Sequence, residues 1–166
     1  MMQLNLPNYA FKIITDGERK QIFDEIRRKY VALTPEEWVR QNFVQYLIHE
    51  KQFPKGLIAI ESVINYAPEH KVMFAGKKRG DIVAYDRSGN PLLITECKSP
   101  DIKITQDAFD QAARYNMALK VKYLVVTNGL IHYCCLMDYV KKSYEFLEEI
   151  PEYDATLSGN VIKLRT

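Results

Sequence analysis

Three residues whose types could share one reaction, Asp81, Glu96 and Lys98, lie on two short apolar runs separated by a turn. Gly80-Asp81-Ile82-Val83-Ala84-Tyr85-Asp86 and Leu92-Leu93-Ile94-Thr95-Glu96-Cys97-Lys98 are both rich in apolar and β-branched residues, so both read as strands. Arg87-Ser88-Gly89-Asn90-Pro91 between them is strong turn chemistry. Antiparallel pairing around Ser88-Gly89 sets residue 86 against residue 91, and Asp81 against Glu96. Opposed residues share a sheet face with Cβ atoms roughly 4.5–5.5 Å apart. Lys98, two residues past Glu96, points to that face too. Two carboxylates and an ammonium in an apolar hairpin are costly unless a metal or a reaction uses them. A three- or five-residue loop would shift one strand and reverse its faces. The competing reading is then an exposed edge hairpin whose charges face water.

The elements that must hold this hairpin are legible on both sides. Ala10–Ile14 and Lys20–Phe23 read as short strands, followed by a basic cluster at Arg27, Arg28 and Lys29. Thr34-Pro35-Glu36-Glu37 is a helix start with Thr at the N-cap, Pro at the first position and Glu at the third, a capping box. That helix runs to about Glu50, with Val39, Phe43, Val44, Leu47 and Ile48 as its apolar stripe. Leu57–Ile64 reads as a strand, and Val72–Ala75 as a strand or a loop. After Ser99-Pro100 a second helix spans about Thr105 to Leu119. Lys122–Val126 and Ile131–Leu136 read as strands joined at Asn128-Gly129. Tyr139–Glu149 reads as a helix ended by Pro151, and Val161–Leu164 as a last short strand. This order implies an α/β fold, a mixed sheet with helices on both faces.

At 166 residues the chain reads as one domain over 1–166. A net charge of +2 neither argues for nucleic acid nor opposes it. Cys97, Cys134 and Cys135 offer no paired spacing for a disulfide framework or a zinc site, which fits a reducing cytoplasm. No apolar run approaches the roughly 18 residues of a membrane span, and Met1–Asn8 lacks a signal-peptide pattern. There is no phosphate-binding P-loop. Gly76-Lys77-Lys78-Arg79-Gly80 reads either as a contact for a phosphate backbone or as a solvated turn. His49, His70 and His132 have no mutual ligand spacing, Cys134 and Cys135 should face opposite sides of a strand, and Trp38 should staple the first helix to the sheet.

Asp81, then Glu96-x-Lys98, then Gln111-x-x-x-Tyr115 resembles the PD-(D/E)XK nuclease superfamily. More narrowly, the chain resembles the N-terminal nuclease domain of type I restriction enzyme R subunits. Ile22-Phe23-Asp24-Glu25-Ile26-Arg27, Leu33 to Gln41, Lys78-Arg79-Gly80-Asp81, Glu96-Cys97-Lys98 and Val126-Thr127-Asn128-Gly129 carry that resemblance, over roughly 10–137. Residues 138–166, a C-terminal helix and tail, lie outside it. Gly80 stands where such motifs often have Pro. The chain ends where a complete R subunit would continue into an ATP-driven motor, so translocation and ATP hydrolysis are not carried over.

The resemblance implies a restriction-endonuclease-like sheet flanked by helices and an Mg²⁺-dependent DNA endonuclease, with Mn²⁺ able to replace Mg²⁺. It implies Asp81, Glu96 and the Cys97 carbonyl as metal ligands, and Lys98 as the residue that orients or deprotonates the attacking water. Mg²⁺ suits one or two carboxylates plus waters and substrate oxygens. Glu37 would reach the metal site from the first helix, with the capping box as its structural reason and Glu36 as the alternative about 100° around the helix. Gln111 and Tyr115, at i and i+4 on one helix face, would contact DNA or prop Lys98, with Lys78 and Arg79 beside the backbone. The partners implied are DNA and either restriction-modification subunits or a second copy of the chain, with no membrane. The alternative is a DNA-binding or assembly module that keeps the fold without turnover.

Overall fold

The computed structural model describes residues 1–63 and 79–165. The chain opens with an antiparallel meander, β1 (Ile13–Asp16), β2 (Arg19–Asp24) and β3 (Lys29–Ala32). β1 starts three residues later than expected, and β3, which begins at Lys29 of the basic cluster, has no counterpart among the expected strands. Helix α1 (Pro35–His49) follows. Thr34 Oγ1 accepts the Glu37 N–H at 3.0 Å, as an N-cap should. The reciprocal half of the capping box is not made: the Thr34 N–H donates to Ala32 O instead, and the Glu37 carboxylate turns elsewhere.

The central sheet holds β4 (Ile58–Val63), β5 (Arg79–Tyr85), β6 (Pro91–Cys97), β7 (Tyr123–Thr127), β8 (His132–Asp138) and β9 (Ser143–Phe146), side by side in that order. β6 and β7 run parallel, bridged by α2 (Gln106–Leu119) as the crossover that parallel pairing requires. The remaining neighbours are antiparallel. Alternation along each strand divides the core in two. Ile82, Ala84, Leu93, Tyr123, Val125 and Cys134 pack with Val39, Phe43 and Leu47 of α1. Val83, Ile94, Leu124, Val126 and Cys135 pack with Phe109 and Ala113 of α2. Adjacent cysteines 134 and 135 thus face opposite sides, and all three thiols are free and buried. The expected mixed sheet flanked by helices is the observed architecture.

Two expectations are corrected in the C-terminal part. Tyr139–Glu149 is not a helix. Asp138 Oδ1 accepts from the N–H groups of Val140 and Lys141, turning the chain, and Ser143–Phe146 then pairs with β8 as β9. Tyr144 and Phe146 reach the Phe109 ring on α2, at centroid distances of 5.4 and 4.8 Å. That alternate-residue burial is a strand's, not a helix's. The helix lies further on, α3 (Tyr153–Ser158). The last segment forms a single bridge, Leu147 with Lys163, rather than a strand. Trp38 packs against the core shared by α1 and the sheet, and its indole N–H also donates to Met2 O at 2.9 Å, which pins the N-terminal segment. Val72–Ala75 and His70 lie outside the described residues. Among the described residues, no helix is long and apolar enough to cross a membrane.

Candidate active site

The hairpin register is the first test of the cluster. At the turn, Tyr85 pairs with Pro91, one residue away from the expected 86–91 pairing. A bulge between Ala84 and Tyr85 then absorbs the extra residue, and the pairs become Ala84–Leu93, Val83–Ile94 and Ile82–Thr95. Continued one residue past Ile82–Thr95, this register would set Asp81 opposite Glu96, and the Cys97 N–H bond to Asp81 Oδ2 ties the two strand ends together. Asp86 stabilises the turn by accepting the Ser88 and Asn90 N–H groups, and Gly89 supplies the positive φ of 83°. On the other side of β5, Ile60–Ile82 and Ser62–Gly80 set Glu61 against Asp81. Glu61 is left-handed at φ 50°, an uncommon conformation for a residue with a side chain.

Asp81 is largely covered. One carboxylate oxygen, Oδ2, accepts the Cys97 N–H at 2.7 Å. The other, Oδ1, lies 3.5 Å from Arg40 Nη2. Burial, then the charge of Glu96, pushes the Asp81 pKa up to about 6, against the lowering effects of Cys97 and Arg40. Lys98 Nζ is 2.7 Å from Glu96 Oε1. Burial works against the Lys98 ammonium, but the Glu96 hydrogen bond and the charges of Glu96, Asp81 and Glu36 raise its pKa overall. A buried Asp81 carboxylate opposed by the charge of Glu96 is a pair of hard oxygen donors that a divalent cation would relieve. Among the described residues, no three His, Cys, Asp or Glu side chains converge as a complete cage.

The strand end that carries Lys98 is fixed from β7. The Lys98 N–H donates to Thr127 O at 2.8 Å. Asn128 Nδ2 donates to Ile102 O at 2.9 Å, tying down the loop that follows Lys98, while its Oδ1 accepts the Leu130 and Ile131 N–H groups. Gly129 has φ +81°, and a Cβ there would meet Leu4 Cδ2 at 2.8 Å and Val39 Cγ2 at 3.0 Å. The Thr127-Asn128-Gly129 corner is therefore a bracket for the site rather than part of its chemistry.

Gln111 is brought to the site. It is exposed on α2 and lines, with Glu96, Lys98 and Lys103, a groove of about 200 Å³ between α2 and the sheet. Tyr115 follows one turn later on the same helix, and its side chain lies outside the described residues. Lys78 and the Arg79 side chain lie outside them as well.

Glu37 occupies a different place from the one expected of a metal-site glutamate. It is 6% exposed, and Arg40, itself 5% exposed, stands between it and Asp81. Glu37 Oε2 is 2.5 Å from Arg40 Nη1, and Oε1 takes Arg27 Nη2 and Gln41 Nε2, each at 2.7 Å. Asp24 completes the network by accepting from Arg27 Nε at 2.6 Å and Gln41 Nε2 at 2.9 Å. Glu36, one residue earlier, is the helix carboxylate whose charge acts on Asp81, Cys97 and Lys98. Sequence reasoning missed Arg40. The signal was available: position 40 falls with 43, 44 and 47 in the i, i+3, i+4, i+7 pattern of a buried face, and an arginine there demands buried partners.

Known proteins resemble this chain at two levels. The family described as type I restriction enzyme R protein N terminus matches residues 35–151. A fragment structure from Vibrio vulnificus YJ016, assigned as an HsdR subunit of a type I restriction enzyme, superposes with a TM-score of 0.52 at 22% identity. That alignment covers 77% of this chain and 26% of the Vibrio chain, so the present chain spans about a quarter of that relative. At this identity the likeness establishes the fold. No curated protein matches the chain. The meander precedes the matched segment.

Proposed function

Since the chain belongs to the family of type I restriction enzyme R protein N termini, a nuclease-like domain, we propose that it is a divalent-metal-dependent DNA endonuclease domain. The observation that supports this most is the Asp81 carboxylate held by the Cys97 N–H at the strand end where Lys98 bonds Glu96. Asp81 and Glu96 would hold Mg²⁺, or Mn²⁺ in its place, with the Cys97 carbonyl as the third protein ligand. When bound, such an ion polarises the scissile phosphate and makes its water more acidic.

The protein's own groups then divide the work. The Cys97 N–H fixes Asp81 Oδ2, so that carboxylate cannot rotate freely. Lys98, anchored through its N–H to Thr127, would orient the attacking water and offset charge at the phosphate. Gln111 would present its amide to the DNA backbone from the groove wall, with Tyr115, Lys78 and Arg79 in support. Glu36 takes the place first given to Glu37 as the helix carboxylate nearest the site. DNA is the proposed substrate. Other restriction-modification subunits or a second copy are the proposed partners.

Plasmid cleavage by the full chain with Mg²⁺, and by Asp81→Ala, Glu96→Ala and Lys98→Ala, tests the proposal. Each substitution should lower the rate about 10²-fold or more. Undiminished cleavage by all three would overturn it. A non-cleaving assembly or DNA-binding role is the second reading. It predicts DNA association with no metal-dependent turnover in the wild type.

A further inference from the structure

Arg40 has no role in the chemistry just described, yet it is the buried cation nearest to Asp81. Its nitrogens are unevenly engaged. Nη1 is 2.5 Å from Glu37 Oε2. Nη2 is 3.5 Å from Asp81 Oδ1 and also 3.5 Å from Glu36 Oε1. Nη1 lies 3.8 Å from Glu61 Oε1. Nε is buried with no acceptor. A settled guanidinium–carboxylate pair closes to about 2.7–2.9 Å. Arg40 is thus gripped at one end and shared, loosely and equally, between two carboxylates at the other. Glu37 cannot follow it, since Arg27, Gln41 and the helix N-cap hold that residue in place.

We propose that Arg40 is a resident counter-cation for Asp81, a positioning residue that yields this carboxylate to an incoming divalent cation by shifting Nη2 onto Glu36. The inference rests on the metal-dependent reading above. Without metal the site balances one cation against each carboxylate: Lys98 on Glu96 and Arg40 on Asp81. A divalent ion entering between the carboxylates meets the guanidinium charge, and such repulsion is only partly screened where side chains are covered. Glu36 can take the displaced charge because its side chain is 46% exposed and already within 3.5 Å. The grip on Arg40 comes in part from Asp24 and Arg27, in a turn that precedes the family-matched segment. The meander would therefore set how far Arg40 can move.

Calorimetric titration of the full chain with Mn²⁺ tests this without any cleavage assay. Arg40→Met keeps an unbranched chain but removes the charge, and it leaves Glu37 with Arg27 and Gln41. It should bind Mn²⁺ about threefold more tightly or better, whereas Arg40→Lys should stay closer to wild type. Glu36→Gln should bind less tightly, because Arg40 loses its alternative acceptor. In the Arg40→Met background the Glu36→Gln effect should vanish. Binding by Arg40→Met that equals or falls below wild type overturns the proposal. So does a Glu36→Gln effect that persists undiminished without Arg40, which would make Glu36 a direct ligand. Should Arg40→Met fail to fold, Arg40→Gln, which also removes the charge, takes its place in both comparisons, and affinity equal to or below wild type again overturns the idea. A wild type that takes up no Mn²⁺ brings down the metal reading itself, a different failure from unchanged affinity in Arg40→Met.

Discussion

The Cys97 backbone N–H donates to Asp81 Oδ2 at 2.7 Å, so the strand that carries Glu96 and Lys98 is tied at its end to the carboxylate of its neighbour. The geometry of the proposed site and the stability of the hairpin thus share one bond. The carboxylate is largely buried, and its charge is opposed by Glu96.

A pH dependence follows for Asp81. Its pKa rises from 3.8 to about 6 on folding, first through burial and then through Glu96. The folded state therefore keeps this proton when the unfolded chain has lost it. The contribution to stability is fully present below about pH 4 and disappears as pH rises through about 6. A shift of that size corresponds to about 3 kcal/mol at most, less whatever solvent screening removes. Asp81→Asn can still accept the Cys97 N–H and carries no charge, so its stability should lack this decline. Urea midpoints between pH 4 and 7 for both proteins give the comparison. Parallel curves would mean that Asp81 ionises as freely folded as unfolded.

The pairing of the two strands that carry Asp81 and Glu96 was legible for a reason that survived a local error. Side-chain alternation over Ile82-Val83-Ala84 fixes the faces, and the bulge at Ala84/Tyr85 repairs the one-residue difference at the turn. Asn128-Gly129 was legible as a turn because Gly129 needs φ +81°. Tyr139–Glu149 was not, since Tyr139, Tyr144, Phe146 and Leu147 suit more than one period. The β8 edge and the Phe109 ring decide between them, and both are distant in sequence. Glu37 illustrates the same limit in the site. Its local pattern fits a capping box, but Arg27 and Arg40 offer charge-assisted bonds that outweigh the backbone N–H of Thr34.

The Asp24 network should be costly to break. Asp24 is 1% exposed and accepts from the Ile26 and Arg27 N–H groups, Arg27 Nε and Gln41 Nε2. Burial alone would raise its pKa, but the bonds from Arg27 and Gln41 hold it below the usual range. Asp24→Ala leaves Arg27 with Glu37 and Glu61 but without one of its three carboxylate partners. A loss of about 3–5 kcal/mol is expected, read as a lower urea midpoint at constant slope. A loss below about 1 kcal/mol would show that solvent replaces these bonds readily.

Two glycines with nearly equal φ should respond differently to alanine. Gly89 and Gly129 have φ of +83° and +81°, but a Cβ at Gly89 meets nothing within 4 Å, whereas at Gly129 it runs into Leu4 and Val39. Gly89→Ala should cost only the left-handed conformation, about 1–2 kcal/mol. Gly129→Ala adds overpacking for a total of about 2–4 kcal/mol. It should also loosen the Lys98 anchor at Thr127. Equal losses in thermal unfolding would mean that Leu4 moves aside at little cost.

His132 should make the docking of the N-terminal segment depend on pH. Thr127 Oγ1 accepts the Gly129 N–H, so its own hydrogen is free for His132 Nδ1 at 2.7 Å. Nε2–H then donates to Asn5 O at 3.0 Å, which assigns the neutral tautomer. Burial lowers the His132 pKa below 6.5, against a smaller raising effect of Asn5. A lowered histidine pKa contributes stability that is present above about pH 6.5 and is lost as pH falls through the folded value. Protonation fills Nδ1 and breaks its bond from Thr127, the residue that also holds Gly129. The Asn5 N–H, which donates to Gly129 O at 2.8 Å, reports the consequence. Its hydrogen-exchange protection should fall between pH 7 and pH 5 after correction for intrinsic rates, and His132→Phe should remove that dependence. Protection that stays constant across this range would separate the Leu4–Asn5 docking from His132 ionisation.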